Sequence, residues 1–391
     1  MTKLTMQQRA ALATIKAARA SRRSILKGAI AAGAAFAVAP GFVRNAFSSS
    51  GELNWFTWED YAPQDLVDKF TADTGIQLNV TTFSSNEDQL NKLKAAGGVG
   101  WDVASPSVAW VPAHVDSGNL GAIDPSKIPN LTNVYPSFME ESAGLGAQID
   151  GKWYALPYDW GTEALAFNTE LADLKYGTAS FGDLWDEKYK GAMLCRQRSI
   201  MLGTGLWMER IGELPAGTMR KAYDDPDALA LGYGKAAEYT IAHKDQIVNW
   251  WKGTADTQSG FLQDGAAIGQ TWDGPIFQMK NDGYPMQYLA PVEGALAWID
   301  TIAITSGAAN VEQAYAFINW SFLPENGGLA SSHTTYNSVV NGFDAYVPES
   351  FKKNFAEAYP GDAISKLWMQ GIERPWFLEK RQEFVDKISA A

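Results

Sequence analysis

"LNWFTWEDYAPQDLVDKFTADTGIQLNVTTF", Leu53 to Phe83, changes its apolar period twice in thirty-one residues. "LNWF" reads as a strand. "APQDLVDKFTADTG" brings Leu66, Val67 and Phe70 onto one helical face, with Pro63 near the start and Gly75 as the stop. "IQLNVTTF" alternates apolar and polar residues as a half-buried strand does. The unit then repeats. In "SSNEDQLNKLKAAGG" Ser85 and Asp88 have capping-box spacing ahead of Leu90 and Leu93, and "WDVASPS" reads as a third strand running into a helix with Val108, Val111 and Val115. Strands alternating with helices specify an α/β fold, a parallel sheet with helices on both faces. Ligands bind such sheets beyond the carboxyl ends of the strands. Trp58 to Tyr61 and Ser105 to Ser107 occupy two of those ends, and the first gathers rings and carboxylates into one turn.

Farther along, "QIDGKWYALPYDWGTEALAFN" carries an Asp-Gly hairpin signal and then two short strands around Gly161, as though the chain leaves one lobe for another. Residues 180–290 form a second alternating block, with a strand at "AMLCR", helices around Leu206 and Leu229, and "GAAIGQTW". "ALAWIDTIAIT" is again a strand, followed by a helix at "NVEQAYAFINWSFL".

Residues 1–50 contain eight basic residues and no Asp or Glu, with "SRRSILK" (Ser21 to Lys27) ahead of an apolar run rich in Ala and Gly. This is the pattern of an export signal, and paired Arg22 and Arg23 resemble the twin-arginine type. The apolar run is shorter than the ~20 residues that span a bilayer. Removing this segment's +8 from the chain's −12 leaves −20, a body that repels nucleic acid and anionic lipid and favours cationic partners. About 340 residues remain, which is too many for one simple core, so two lobes are expected. Cys195 is the only cysteine and excludes an internal disulfide. His114, His243 and His333 lack metal-ligand spacing, and neither a phosphate-binding loop nor a G-x-S-x-G elbow occurs. Scattered carboxylates and fifteen tryptophans leave one enzymatic option, a carboxylate-dependent glycoside hydrolase.

"WFTWEDYAP", "TGIQLNVTTFSSNED", "WDVASPSVAWV", "ALPYDWGTEALAFN", "SFGDLWDEKYKGAML", "PVEGALAWIDTIAI" and "TTYNSVVN" run in the order seen in the spermidine/putrescine-binding proteins, the periplasmic receptors of ABC importers, which this chain resembles over nearly all of residues 51–391. The resemblance implies the two-lobe periplasmic-binding-protein fold (type II), each lobe a mostly parallel sheet flanked by helices, with the ligand in the interlobe cleft. It places one lobe at 51–160 plus 297–340 and the other at 161–296 plus 341–391. It also implies a periplasmic, monomeric, non-enzymatic receptor without metal or cofactor, whose open–closed equilibrium is read by a membrane permease.

Carried over position by position, the amine-binding residues of that family fall on Trp58, Asp60, Tyr61, Ser107, Trp272, Trp298, Asp300, Tyr336 and Gln370, with Asp273 as a further acceptor or a turn former. The chemistry agrees. Aromatic faces attract an ammonium by about 0.5–2 kcal/mol each, and carboxylates accept its hydrogens in charge-assisted bonds. Plainer roles stand beside these: Trp58 and Tyr61 as core, Asp60 and Ser107 as helix caps. Asp300, inside an apolar strand, is costly without a cationic partner.

Where polyamine binders carry second-lobe acids, this chain has "KGAMLCRQRSIM", with Arg198 and Met201 at the acidic positions and Arg196 nearby; Ala109 and Trp110 follow the matched serine where a Tyr is expected. A guanidinium repels a diamine's far end but forks onto a carboxylate. The expected ligand is therefore an ω-amino acid such as 4-aminobutyrate (GABA), its ammonium at Asp300 among Trp58, Trp272 and Trp298, its carboxylate on Arg198. A polyamine receptor and a sugar receptor are the alternatives within the class.

Overall fold

A computed structural model describes residues 51–391; the export-signal reading of residues 1–50 lies outside them. The strands are β1 (Glu52–Trp58), β2 (Gln77–Phe83), β3 (Val103–Ala104), β4 (Gln148–Ile149), β5 (Lys152–Trp153), β6 (Leu156–Asn168), β7 (Met193–Cys195), β8 (Ile247–Trp250), β9 (Ile268–Trp272), β10 (Met286–Leu289), β11 (Leu296–Ile304), β12 (Asn337–Ser338) and β13 (Trp368–Met369). The helices that position the site are α1 (Gln64–Thr74), α2 (Asn86–Ala96), α3 (Gln197–Arg210), α4 (Thr254–Leu262), α5 (Asp273–Asn281), α6 (Val311–Ser321) and α7 (Pro375–Ala390).

Local chemistry sets the first βα units. Pro63, at φ −62° and ψ 152°, precedes α1, and Gly75 ends it at φ 77°, where its N–H reaches the Thr71 carbonyl. Leu66 and Phe70 are the residues α1 buries, and the Phe70 ring meets Phe317 of α6 edge-on at 5.1 Å. Ser85 caps α2 by accepting from the Asp88 N–H at 3.1 Å.

The main sheet runs β2-β1-β3-β11-β6-β9-β7-β8. At one end β1 is parallel to β2 and β3, and at the other β7 is parallel to β8 and β9. Between these parallel groups β11 and β6 run antiparallel to each other and to their outer neighbours. Separate apolar cores lie at the two ends, and both middle strands serve each. Tyr158, Trp160, Ile299 and Ile302 pack with Trp55, Phe70 and Phe317, whereas Leu165, Phe167 and Leu296 pack with Phe181, Ile200 and Phe377. Each such side chain, fully buried, contributes ~1.5–3 kcal/mol. The architecture is a two-lobe α/β fold with β6 and β11 crossing from lobe to lobe.

Two expectations need correction. The "WDVASPS" strand is ladder-paired only at Val103–Ala104. The two short strands expected around Gly161 are one continuous strand, β6, in which every residue but the last is buried. Gly161 does not break it. The glycine is needed because the Trp298 indole lies across the neighbouring rung: a Cβ at 161 would stand 2.5 Å from Trp298 Cζ2.

Candidate functional site

A cleft opens at the carboxyl end of β1 and over the crossing strands. Its walls include Trp58, Asp60, Tyr61, Ser107, Arg198, Trp272, Trp298, Asp300, Tyr336 and Gln370. Ten of the eleven residues named from sequence thus converge on one cleft. Asp273 does not. It is fully buried at the start of α5, where its carboxylate accepts from the Tyr359 hydroxyl at 2.8 Å and the backbone N–H groups of Gly274 and Thr162 at 3.1 and 3.3 Å. Burial pushes its carboxyl up to about 7, against the pull of those donors. Its role is to tie α5 to β6.

The cleft floor follows from strand register. Asp300 lies directly opposite Asp159, Trp298 opposite Gly161, and Trp272 opposite Glu163. Opposed residues share a face, as do residues two apart, so Asp159, Gly161 and Glu163 form one row on β6. From Asp159 to Glu163 that row is about 13 Å long at ~3.3 Å per residue.

At one end lies an acid pole. Ser107 Oγ donates to Asp300 Oδ1 at 2.5 Å, while Asn86 Nδ2 donates to Ser107 Oγ at 2.9 Å. The Tyr61 hydroxyl is 2.7 Å from Asp300 Oδ2 and 3.1 Å from Asp159 Oδ1. Asp300 and Asp159 are only 4% and 6% exposed, and no cation among the described residues pairs with either. Burial raises Asp300 to about 6, with Ser107 and Tyr61 pulling the other way. Rings surround this pole. Tyr336 meets Trp298 edge-on at 4.8 Å and Tyr61 at 6.2 Å, and Trp58 meets Trp272 at 6.2 Å. The indole N–H groups of Trp58 and Trp298 are buried with no acceptor among the described residues.

At the other end the charges are mixed. Glu163 is buried and lines the cleft, accepting from Gln270 Nε2 at 2.7 Å. The Arg196 guanidinium lies 5.0 Å from the Trp272 ring centre and 5.1 Å from that of Trp251, and has no ion pair among the described residues. Burial first, and the Arg198 charge next, lower Arg196 to about 10.

Arg198 differs from the expectation. Its Nη1 donates to both carboxylate oxygens of Glu87 on α2, at 3.0 and 2.9 Å, and its Nη2 is 3.5 Å from Glu373. Arg381 of α7 joins the same cluster, 2.6 Å from Glu373 and 3.4 Å from Glu87. Burial alone would raise Glu87, but Arg198, Arg381 and Arg196 together hold it down at about 2. Asp60 likewise accepts a hydrogen bond from Thr254 at the start of α4. Met201 is a fully buried core residue.

Sequence reasoning passed over Asp159, Gly161, Glu163 and Glu87. The period-two pattern in "DWGTE" (Asp159 to Glu163) was the available signal for the first three. Nothing local singles out Glu87.

Residues 65–355 match the family of bacterial extracellular solute-binding proteins. The chain is 28% identical over 306 residues to the spermidine/putrescine-binding periplasmic protein of Escherichia coli K12, covering 78% of this chain and 80% of that one. It is 29% identical over 329 residues to the putrescine-binding periplasmic protein SpuD of Pseudomonas aeruginosa, with 80% and 85% covered. The structure of the spermidine/putrescine ABC transporter substrate-binding protein PotD from Streptococcus pneumoniae superposes with a TM-score of 0.66 at 25% identity, over 87% of this chain and 98% of that one. The chain belongs to the bacterial extracellular solute-binding proteins, as a periplasmic, non-enzymatic receptor of an ABC importer.

Proposed function

We propose that the cleft binds a small ω-amino acid, with GABA the best-sized candidate, and presents it to an inner-membrane ABC permease. The ammonium sits against Asp300 within Trp58, Trp272, Trp298 and Tyr336, with Asp60, Tyr61, Ser107 and Gln370 completing the walls. The observation that carries the reading is the charge layout: a buried carboxylate at one pole and a guanidinium near the other, neither of them ion-paired among the described residues. Arg196 takes the carboxylate role expected of Arg198, whose guanidinium is already held by Glu87. The unpartnered indole N–H groups of Trp58 and Trp298 also favour a ligand that brings acceptors. The lobes that close on it are 51–160 plus 297–340 and 161–296 plus 341–391.

Micromolar binding corresponds to about −8 kcal/mol, within reach of two charged contacts and a desolvated aromatic box. Calorimetry should show GABA binding at that level, and Arg196→Gln should weaken it about 30-fold, the ~2 kcal/mol of a truncated charge pair. Unchanged GABA affinity in Arg196→Gln would defeat the assignment. Glu163 supports a second reading, a diamine, because it supplies a distal acid within the same cleft. Tighter binding of putrescine than of GABA would favour that reading.

A further inference from the structure

The acid pole contains more carboxylate than one ammonium neutralises. Asp159 is not itself a wall of the cleft; it stands beside Asp300 on the opposed rung, reached through Tyr61. The groups facing the two acids are Tyr61 from the turn after β1, Ser107 from the end of β3, Tyr336 from the segment after the Pro324–Thr334 helix, and Asp273 from α5. None of them is a cation. Tyr61 has one hydroxyl proton and two carboxylate oxygens within reach, at 2.7 and 3.1 Å. If that proton serves the shorter contact, to Asp300, the 3.1 Å contact joins two oxygens and needs a proton of its own.

Two arrangements satisfy every contact: the extra proton sits either on Asp300, with Tyr61 donating to Asp159, or on Asp159, with Tyr61 donating to Asp300. Only the second leaves the negative charge on the acid that lines the cleft; in it Asn86 donates to Ser107, Ser107 and Tyr61 donate to Asp300, and Asp159 donates to Tyr61. We propose that Asp159 is a positioning residue that keeps its proton at neutral pH, acting through Tyr61 so that Asp300 carries the pole's single negative charge. Electrostatics runs the same way: burial raises Asp159 most, and the neighbouring Asp300 charge raises it further, while Tyr61 lowers it. A pole limited to one charge matches one ammonium and leaves one uncompensated carboxylate, not two, in the empty protein. The idea rests on the functional reading only for its binding arm.

Asp159→Asn tests it, because an amide replaces the protonated acid as donor to Tyr61. In the ligand-free parent protein, carbon-13 NMR of labelled aspartates at pH 7 should show a protonated carboxyl resonance that disappears in Asp159→Asn. The variant should keep the parental melting temperature, whereas Asp159→Ala, which removes the donor, should lower it and weaken GABA binding. Fully ionised aspartates at pH 7 would overturn the proposal. So would persistence of the protonated resonance in Asp159→Asn, since the proton would then belong to another aspartate. Failure of the parent protein to bind GABA would count against the ω-amino-acid reading alone, with the NMR result still deciding the state of Asp159.

Discussion

Asp300 and Gly161 show how individual residues set the site's behaviour. Asp300 is raised to about 6, chiefly by burial, so binding of an ammonium should weaken as pH falls from 7 to 5 and its anion is lost. The stability linkage has the opposite sign. In the native protein Asp300 holds its proton to higher pH than in the unfolded chain, where an Asp titrates near about 3.9, so its contribution to stability declines as pH rises through that window. A bound cation offsets that loss, and the ligand-induced rise in melting temperature should therefore be larger at pH 7.5 than at pH 5. Gly161 is a separate test. A methyl there would meet Trp298 Cζ2 at 2.5 Å and Asp273 Oδ1 at 2.8 Å. Gly161→Ala should keep the circular-dichroism spectrum while GABA affinity falls about tenfold, a strain of ~1–3 kcal/mol falling largely on the indole wall. Sequence could mark Asp300 because a carboxylate in an apolar strand is conspicuous. Asp159 and Gly161 acquire their roles from a partner strand more than a hundred residues away, and no local pattern states that register.

At the scale of elements, the βα units were readable because their causes are local. Pro63, Gly75 and Ser85 act within a few residues of the helix ends they define. Ser85→Ala should cost about 1 kcal/mol, seen as a lower denaturation midpoint with unchanged slope. β6 was misread for the complementary reason: glycine is a strand breaker by propensity, and only the packing of β11 explains its place. The two arginines at the start of α3 show a further limit. Arg196 and Arg198 are two residues apart, and their separation into a guanidinium stacked on Trp251 and Trp272 and an ion-paired one depends on where α2 and α7 deliver Glu87 and Glu373.

For the molecule as a whole, Glu87 and Asp60 tie the end of the sheet that carries β1 to residues beyond the crossing strands, through Arg198, Arg381 and Thr254. Glu87→Gln should loosen that join, raising the radius of gyration of the ligand-free protein in small-angle X-ray scattering and weakening GABA binding several-fold. Glu87 is held at about 2, below its usual range, so its contribution is present above about pH 4.3 and disappears only as pH falls toward 2. Glu87 therefore takes no part in a loss of affinity between pH 7 and 5. The floor that these contacts close over has a final consequence. The acids along it, Asp159 and Glu163 of β6 with Asp300 opposite, are spaced by the main-chain repeat, so an acid can be repositioned there only in discrete steps. Shifting an acid two positions along β6 or β11 relocates a pole by a step of about 7 Å, while a shift of one position turns it into the hydrophobic interior. On the proposed reading, a variant made in this way would change the length of guest it takes in discrete jumps, without altering the scaffold that grips it.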